Sequence, residues 1–141
     1  MWSSEVAAQP TLHTIHWAVT PLGDASLLGY AGLSRIDHYR RQGELRVWVC
    51  SPDKHSSFAA EWSMLILRFA LTRVKLERVY ALQLARHPIA GEVLASIGLH
   101  REGLLRKRLH RDGPFEDVVC WTILKDDWLT GTDDCQSNEL S

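Results

Sequence analysis

Apolar and polar residues alternate with a period of two in several short stretches, the spacing that sends successive side chains to opposite faces of a strand. Leu12–Val19 alternates loosely and runs into Thr20-Pro21-Leu22-Gly23-Asp24, so the pattern predicts a strand and then a hairpin turn. Ser26–Leu33 is the returning strand, in which Gly29 and Gly32 either weaken pairing or mark close approach of another chain. Glu44–Cys50 is the clearest strand: Leu45, Val47 and Val49 share one face, and Glu44, Arg46, Trp48 and Cys50 share the other.

The period then lengthens. From Ser57 to about Arg73, Phe58, Trp62, Leu65, Ile66 and Phe69 recur at helical spacing, with Ser57 placed to cap the start. Glu77–Leu84 reads as a largely buried strand. A shorter helix follows, with Pro88 in its first turn, Ile89, Val93 and Ile97 on one face and Gly98 just past its end. Gly103–His110 and Phe115–Leu124 form a hairpin across Arg111-Asp112-Gly113-Pro114, where the Asp-Gly pair supplies positive φ. The order is three strands, helix, strand, helix and a two-stranded hairpin, a mixed α+β domain without internal repeats.

The length of 141 residues suits one domain, expected over residues 1–128, with an acidic tail of 129–141 that lacks fixed structure. The formal net charge of −1 hides an uneven distribution: residues 126–141 carry five acids and no base, which leaves sixteen bases against twelve acids in 1–125. With 45% hydrophobic residues the chain can bury a core, and no apolar run approaches the roughly 20 residues of a membrane span. The N-terminus lacks a basic and then apolar leader, so a cytoplasmic location is expected. Cys50, Cys120 and Cys135 are odd in number and have no CxxC spacing, which favours reduced thiols over disulfides or a zinc site. His13 and His16, three apart on a strand, face opposite sides and make no metal pair. The bases Arg101, Arg106, Lys107, Arg108 and Arg111 are dispersed by strand alternation, with Arg106 and Arg108 facing one way and Lys107 and Arg111 the other, so nucleic acid is not an expected partner.

From Glu44 onward the residues resemble the GNAT superfamily of N-acetyltransferases, in particular its RimJ/RimL-like branch. That branch reads approximately E-L-G-V-W-V, Y-A-T-E, L-x-R-V, V-L-x-x-x-G-F-x-x-E-G-x-L-R and R-D-G-x-F-x-D. This chain has Glu44-Leu45-Arg46-Val47-Trp48-Val49, Phe58-Ala59-Ala60-Glu61, Leu76-Glu77-Arg78-Val79, the run Val93–Arg106 and Arg111–Asp117 in the same order. The resemblance implies a mixed central sheet of about six strands with two main helices, the first strand and two helices of the family being absent here. It implies acetyl-CoA as co-substrate, no metal, and an amine acceptor, either a protein N-terminus or a small molecule. A homodimer could then complete the acceptor cleft.

The same resemblance assigns site residues. The phosphate loop of the family, Gln/Arg-x-x-Gly-x-Gly/Ala, falls on Lys54-His55-Ser56-Ser57-Phe58-Ala59, with Ser57 in place of a glycine. Trp48, Val49 and Cys50 would lie along the pantetheine arm, a main-chain N–H near Val49 to Ser51 would polarise the thioester carbonyl, and His87 stands where the family has a cofactor-side asparagine. Glu44 is the candidate for the group that takes the ammonium proton, against the alternative of a surface carboxylate paired with Arg46. Cys50 as a covalent nucleophile is disfavoured. His55 either donates to a phosphate or faces water, and the general-acid tyrosine of some relatives is replaced by Leu94. The rival reading is a GNAT-like domain that no longer catalyses and serves as a binding or scaffolding subunit.

Overall fold

All six stretches with strand patterning join one sheet. The computed structural model describes residues 13–20, 23, 26–49, 52–110 and 112–131, with the helical backbone alone for 52–57. The strands are β1 (Ile15–Val19), β2 (Gly29–Asp37), β3 (Gln42–Val49), β4 (Arg78–Leu84), β5 (His100–His110) and β6 (Phe115–Leu124). Their order across the sheet is β1-β2-β3-β4-β6-β5. Every neighbouring pair is antiparallel except β3 and β4, which are parallel.

A parallel pair needs a crossover, supplied by helix α1 (Pro52–Thr72); helix α2 (Pro88–Ser96) then carries the chain from β4 to the far edge. Both helices lie against one face of the sheet. On that face the core gathers Ile15, Ala31, Leu33, Leu45, Val79, Ala81 and Ile123 from the strands with Trp62, Ile66, Leu67, Ala70 and Leu71 from α1. Trp17 of β1 meets Phe69 of α1 edge to face at 5.2 Å. α2 comes down on the sheet at Gly91, where an added Cβ would run into Gln83 Oε1 and sit 3.0 Å from the Trp121 ring. Gly32 is likewise a place of close approach, because a Cβ there would collide with the Ile15 carbonyl oxygen and lie 2.7 Å from His16 Cα.

Several boundaries differ from the expected ones. α1 begins at Pro52, five residues before Ser57, so Ser57 lies inside the helix and does not cap it, and Lys54, His55, Ser56, Ser57, Phe58 and Ala59 are helical rather than a loop. The extra turns contain Asp53, Lys54, His55 and Ser56, none of them apolar, so hydrophobic periodicity could not detect them, while Pro52 suits a first turn. β2 is displaced toward the C-terminus and is bulged between Ser34 and Asp37, with Arg35 at φ 51°. β5 is bulged between Leu105 and Leu109, where Lys107 adopts φ 50°, so the expected alternation of Arg106, Lys107 and Arg108 does not hold. The hairpin turn takes its left-handed residue at Asp112, φ 39°, and Gly98 closes α2 at φ 103° as expected. A short helix, α3, occupies 125–131 and therefore takes in the first three residues expected to be tail; Trp128 packs against the core. The rest of the tail, residues 132–141, lies outside the described residues.

Ile66 is fully buried where α1 meets the sheet. Ile66→Ala is expected to lower unfolding free energy by about 2–5 kcal/mol, read from a shift in denaturant midpoint at unchanged slope.

Candidate functional site

β3 and β4 pair through three rungs only, Gln42 with Arg78, Gly43 with Val79 and Glu44 with Tyr80. β3 continues to Val49 and β4 to Leu84, so the two strands part beyond Glu44 and Tyr80. A parting of parallel strands leaves main-chain donors and acceptors on the facing edges without ladder partners, and an extended ligand arm can take them.

Alternation places Glu44, Arg46 and Trp48 on the face away from the two long helices, together with Ser34 of β2, Tyr80 of β4 and His16 of β1, which register aligns with them. Glu44 is 3% exposed. Arg46 donates from Nε to Glu44 Oε1 at 3.2 Å and from Nη2 to Oε2 at 3.5 Å, and Arg35 Nε lies 3.7 Å from Oε2. Such a buried carboxylate requires its partners, because burial of an unpaired charge is costly. Glu44 is thus paired with Arg46, as the alternative reading has it, but it is buried rather than on the surface, at the point where the strands part, and Arg35 is a second guanidinium beside it. Beside it the Tyr80 phenol is pushed up by burial, with the Glu44 charge adding to the effect.

His16 is a residue that the sequence reading set aside. Its Nε2 lies 2.9 Å from Ser34 Oγ, and Ser34 is the register partner of Glu44. Burial, aided by the Arg46 guanidinium, pushes the imidazole below its ordinary value of 6.5, so it is held neutral on this face. The signal that could have found it is register: only strand pairing brings His16 and Glu44 to either side of Ser34. His13 turns elsewhere, with Nδ1 3.1 Å from the Ile36 carbonyl oxygen.

The remaining candidates are spread along the parting. Trp48 is 54% exposed and inclined against Tyr30 at 5.7 Å, so it belongs to the open face and not to the core. Val49 is half-buried and packs against the core. Phe58 is stacked on Trp62 at 6.3 Å, and Ala59 accepts a hydrogen bond at its carbonyl oxygen from Ser63 Oγ at 2.7 Å. His87 stands exposed at the N-cap of α2 without a side-chain capping bond, its carbonyl oxygen accepting from Gln83 Nε2 at 2.8 Å. Cys50 lies outside the described residues, as do the side chains of Lys54, His55, Ser56 and Ser57. Among the described residues no group of three or more His, Cys, Asp or Glu could hold a metal ion, and no helix is long and apolar enough to cross a membrane.

Comparison with known proteins agrees with this architecture. A family model described as "Acetyltransferase (GNAT) domain" matches residues 1–100. The "Putative ribosomal N-acetyltransferase YdaF" of Bacillus subtilis (strain 168) is 25% identical over 107 residues, covering 76% of this chain and 58% of YdaF. The "Uncharacterized N-acetyltransferase YoaA" of the same organism is 21% identical over 111 residues, covering 79% of this chain and 63% of YoaA. The chain therefore spans about three fifths of the length of these relatives. Among solved structures, mutant forms of the spermidine/spermine N-acetyltransferase SpeG from Vibrio cholerae superpose with a TM-score of 0.75 at 22% identity, over 85% of this chain and 72% of SpeG. That likeness is one of fold.

The open face also carries an ion pair that bridges β4 to β5 across β6. Arg78 donates to both oxygens of Glu102 at 2.8 and 2.7 Å, which holds the Glu102 carboxyl at about 2, down from 4.5. Because the folded value lies below the unfolded one, this pair contributes stability above about pH 4.5 that is lost as pH falls toward 2. Glu102→Gln is expected to lower stability above about pH 4.5 by about 0–1 kcal/mol, the worth of an exposed pair, and to flatten the acid part of the stability–pH curve by the same amount; urea unfolding at a series of pH values measures both.

Proposed function

We propose, from the premise that this chain belongs to the GNAT acetyltransferase family, that it transfers the acetyl group of acetyl-CoA to a primary amine by direct attack on the thioester. The observation that carries this reading is the parting of β3 and β4 beyond Glu44 and Tyr80. The motifs around Glu44–Val49, Val93–Arg106 and Arg111–Asp117 favour the RimJ/RimL-like branch, and the names of YdaF and SpeG favour an amine acceptor, peptide or small molecule.

In this reading the pantetheine arm lies along the free edge of β3 at Trp48 and Val49. A main-chain N–H beyond Val49 faces the developing oxyanion. The pyrophosphate meets the unpaired N–H groups in the first turn of α1, which begins at Pro52; of Lys54–Ala59, Lys54 lies in that turn, while the N–H groups from Ser56 to Ala59 are taken up within the helix. The amine nitrogen attacks the carbonyl carbon, the carbon–sulfur bond breaks, and CoA leaves as the thiolate. Glu44, at the last paired rung, takes the proton that the ammonium sheds, and Arg35 and Arg46 hold its carboxylate in place. Leu94 offers no acid to the thiolate, so its proton comes from water or another group.

The rival, a GNAT-like subunit without catalysis, draws on the helical placement of Lys54–Ala59. Acetyl-CoA at 100 times its dissociation constant should add about 2.7 kcal/mol and raise the melting temperature by about 5–10 °C. No shift at millimolar acetyl-CoA would leave only the rival. Glu44→Gln should reduce kcat/KM by about 10²- to 10⁴-fold while acetyl-CoA affinity stays the same, measured by initial rates and calorimetry. A native rate in that variant would remove Glu44 from its role.

A further inference from the structure

Next to Glu44, on the same face of the sheet, a depression of about 270 Å3 opens between β3, β4, β6 and β5. Three guanidiniums reach it from three different strands, Arg35 from β2, Arg78 from β4 and Arg108 from β5, over a floor that includes Tyr80, Leu105 and Cys120. Their partners do not balance them. Arg78 is taken up by Glu102, and Arg35 shares Glu44 with Arg46. Arg108 is exposed and has no ion-pair partner among the described residues. Four guanidiniums thus stand against two carboxylates.

Arg35 itself, and the residue before Arg108, are held in unusual backbone. Arg35 (φ 51°) occupies the bulge of β2, and Lys107 (φ 50°) occupies the bulge of β5. The second bulge is pinned by Asp117, whose Oδ1 accepts from the Lys107 N–H at 2.8 Å. A left-handed residue that is not glycine is strained, and bulges re-aim side chains next to functional sites. Here both distortions bring a guanidinium to the same depression. Guanidinium forks bind carboxylates through paired hydrogen bonds, and an excess of positive charge repels a polycation.

We propose that this depression recognises the acceptor and selects a primary amine that also carries a carboxylate, with Arg108 and Arg35 taking the carboxylate while the amine reaches Glu44. The inference rests on the acetyl-transfer reading above and names its acceptor class. That class is opposite in charge to the spermidine and spermine of SpeG's name.

The test separates the two claims. Calorimetry with CoA checks the acetyl-transfer reading. With CoA present, the full chain is titrated with a peptide bearing a free N-terminus and aspartate at its second and third positions, the same peptide with lysine there, free glutamate, and spermidine. The aspartate peptide is expected to bind about tenfold or more tightly than the lysine peptide, a preference that shrinks in high salt and that Arg108→Ala abolishes without shifting the unfolding midpoint. Arg108→Glu should reverse the preference. If free glutamate matches the peptide, the acceptor is a small amino acid; if only the peptide binds, it is an acidic N-terminus, and either result supports the inference. Tighter binding of spermidine or the lysine peptide, no difference between peptides, or a preference that survives Arg108→Ala would overturn it, whatever the result with CoA.

Discussion

The parallel pairing of β3 with β4 is the constraint on which the rest of the molecule depends. Adjacent parallel strands need a connection that crosses one face of the sheet, and right-handedness decides which face. α1 makes that crossing, and α2, leading from β4 to the parallel strand β5, crosses in the same sense and reaches the same face. One side of the sheet therefore receives the apolar faces of both helices, and the other keeps Glu44, Arg46, Trp48 and Tyr80. Because the pairing stops after three rungs, the same contact that organises the fold also produces the opening at which the proposed chemistry would sit.

Charge on the open face follows from burial. A carboxylate as enclosed as Glu44 persists only with partners, and Arg35 and Arg46 supply them from β2 and β3. Arg78 and Glu102 form a second pair that ties β4 to β5 over the intervening strand. Burial first, and then the Arg46 guanidinium that also serves Glu44, disfavour the charged form of His16. Arg46 acts on both Glu44 and His16, so a change at Arg46 alters the conditions for both.

Much of this was legible in the chain. Alternation, turn residues and buried apolar runs together identified six strands, alternation gave the shared face of Glu44, Arg46 and Trp48, and Pro88 and Gly98 bounded α2 closely. What escaped has physical reasons. The polar opening turns of α1 carry no hydrophobic period. The bulges at Arg35 and Lys107 insert residues that no two-residue repeat can anticipate, so the convergence of Arg35 and Arg108 was invisible. His16 became relevant through the register of β1 with β2 and of β2 with β3, long-range pairing that a linear reading does not contain. α3 was missed because seven residues are too few to show a period.

The bulge in β5 has another effect. β5 is an outer strand of eleven residues, long enough to template a neighbouring chain if it were flat and apolar. Arg106, Lys107 and Arg108 break its run of main-chain groups midway, add local twist and place three positive charges there. β1, the opposite border among the described residues, is only five residues long. A kinked cationic border and a short one are features by which sheet proteins avoid growing edge to edge, so the backbone distortion that aims Arg108 also protects the protein against aggregation.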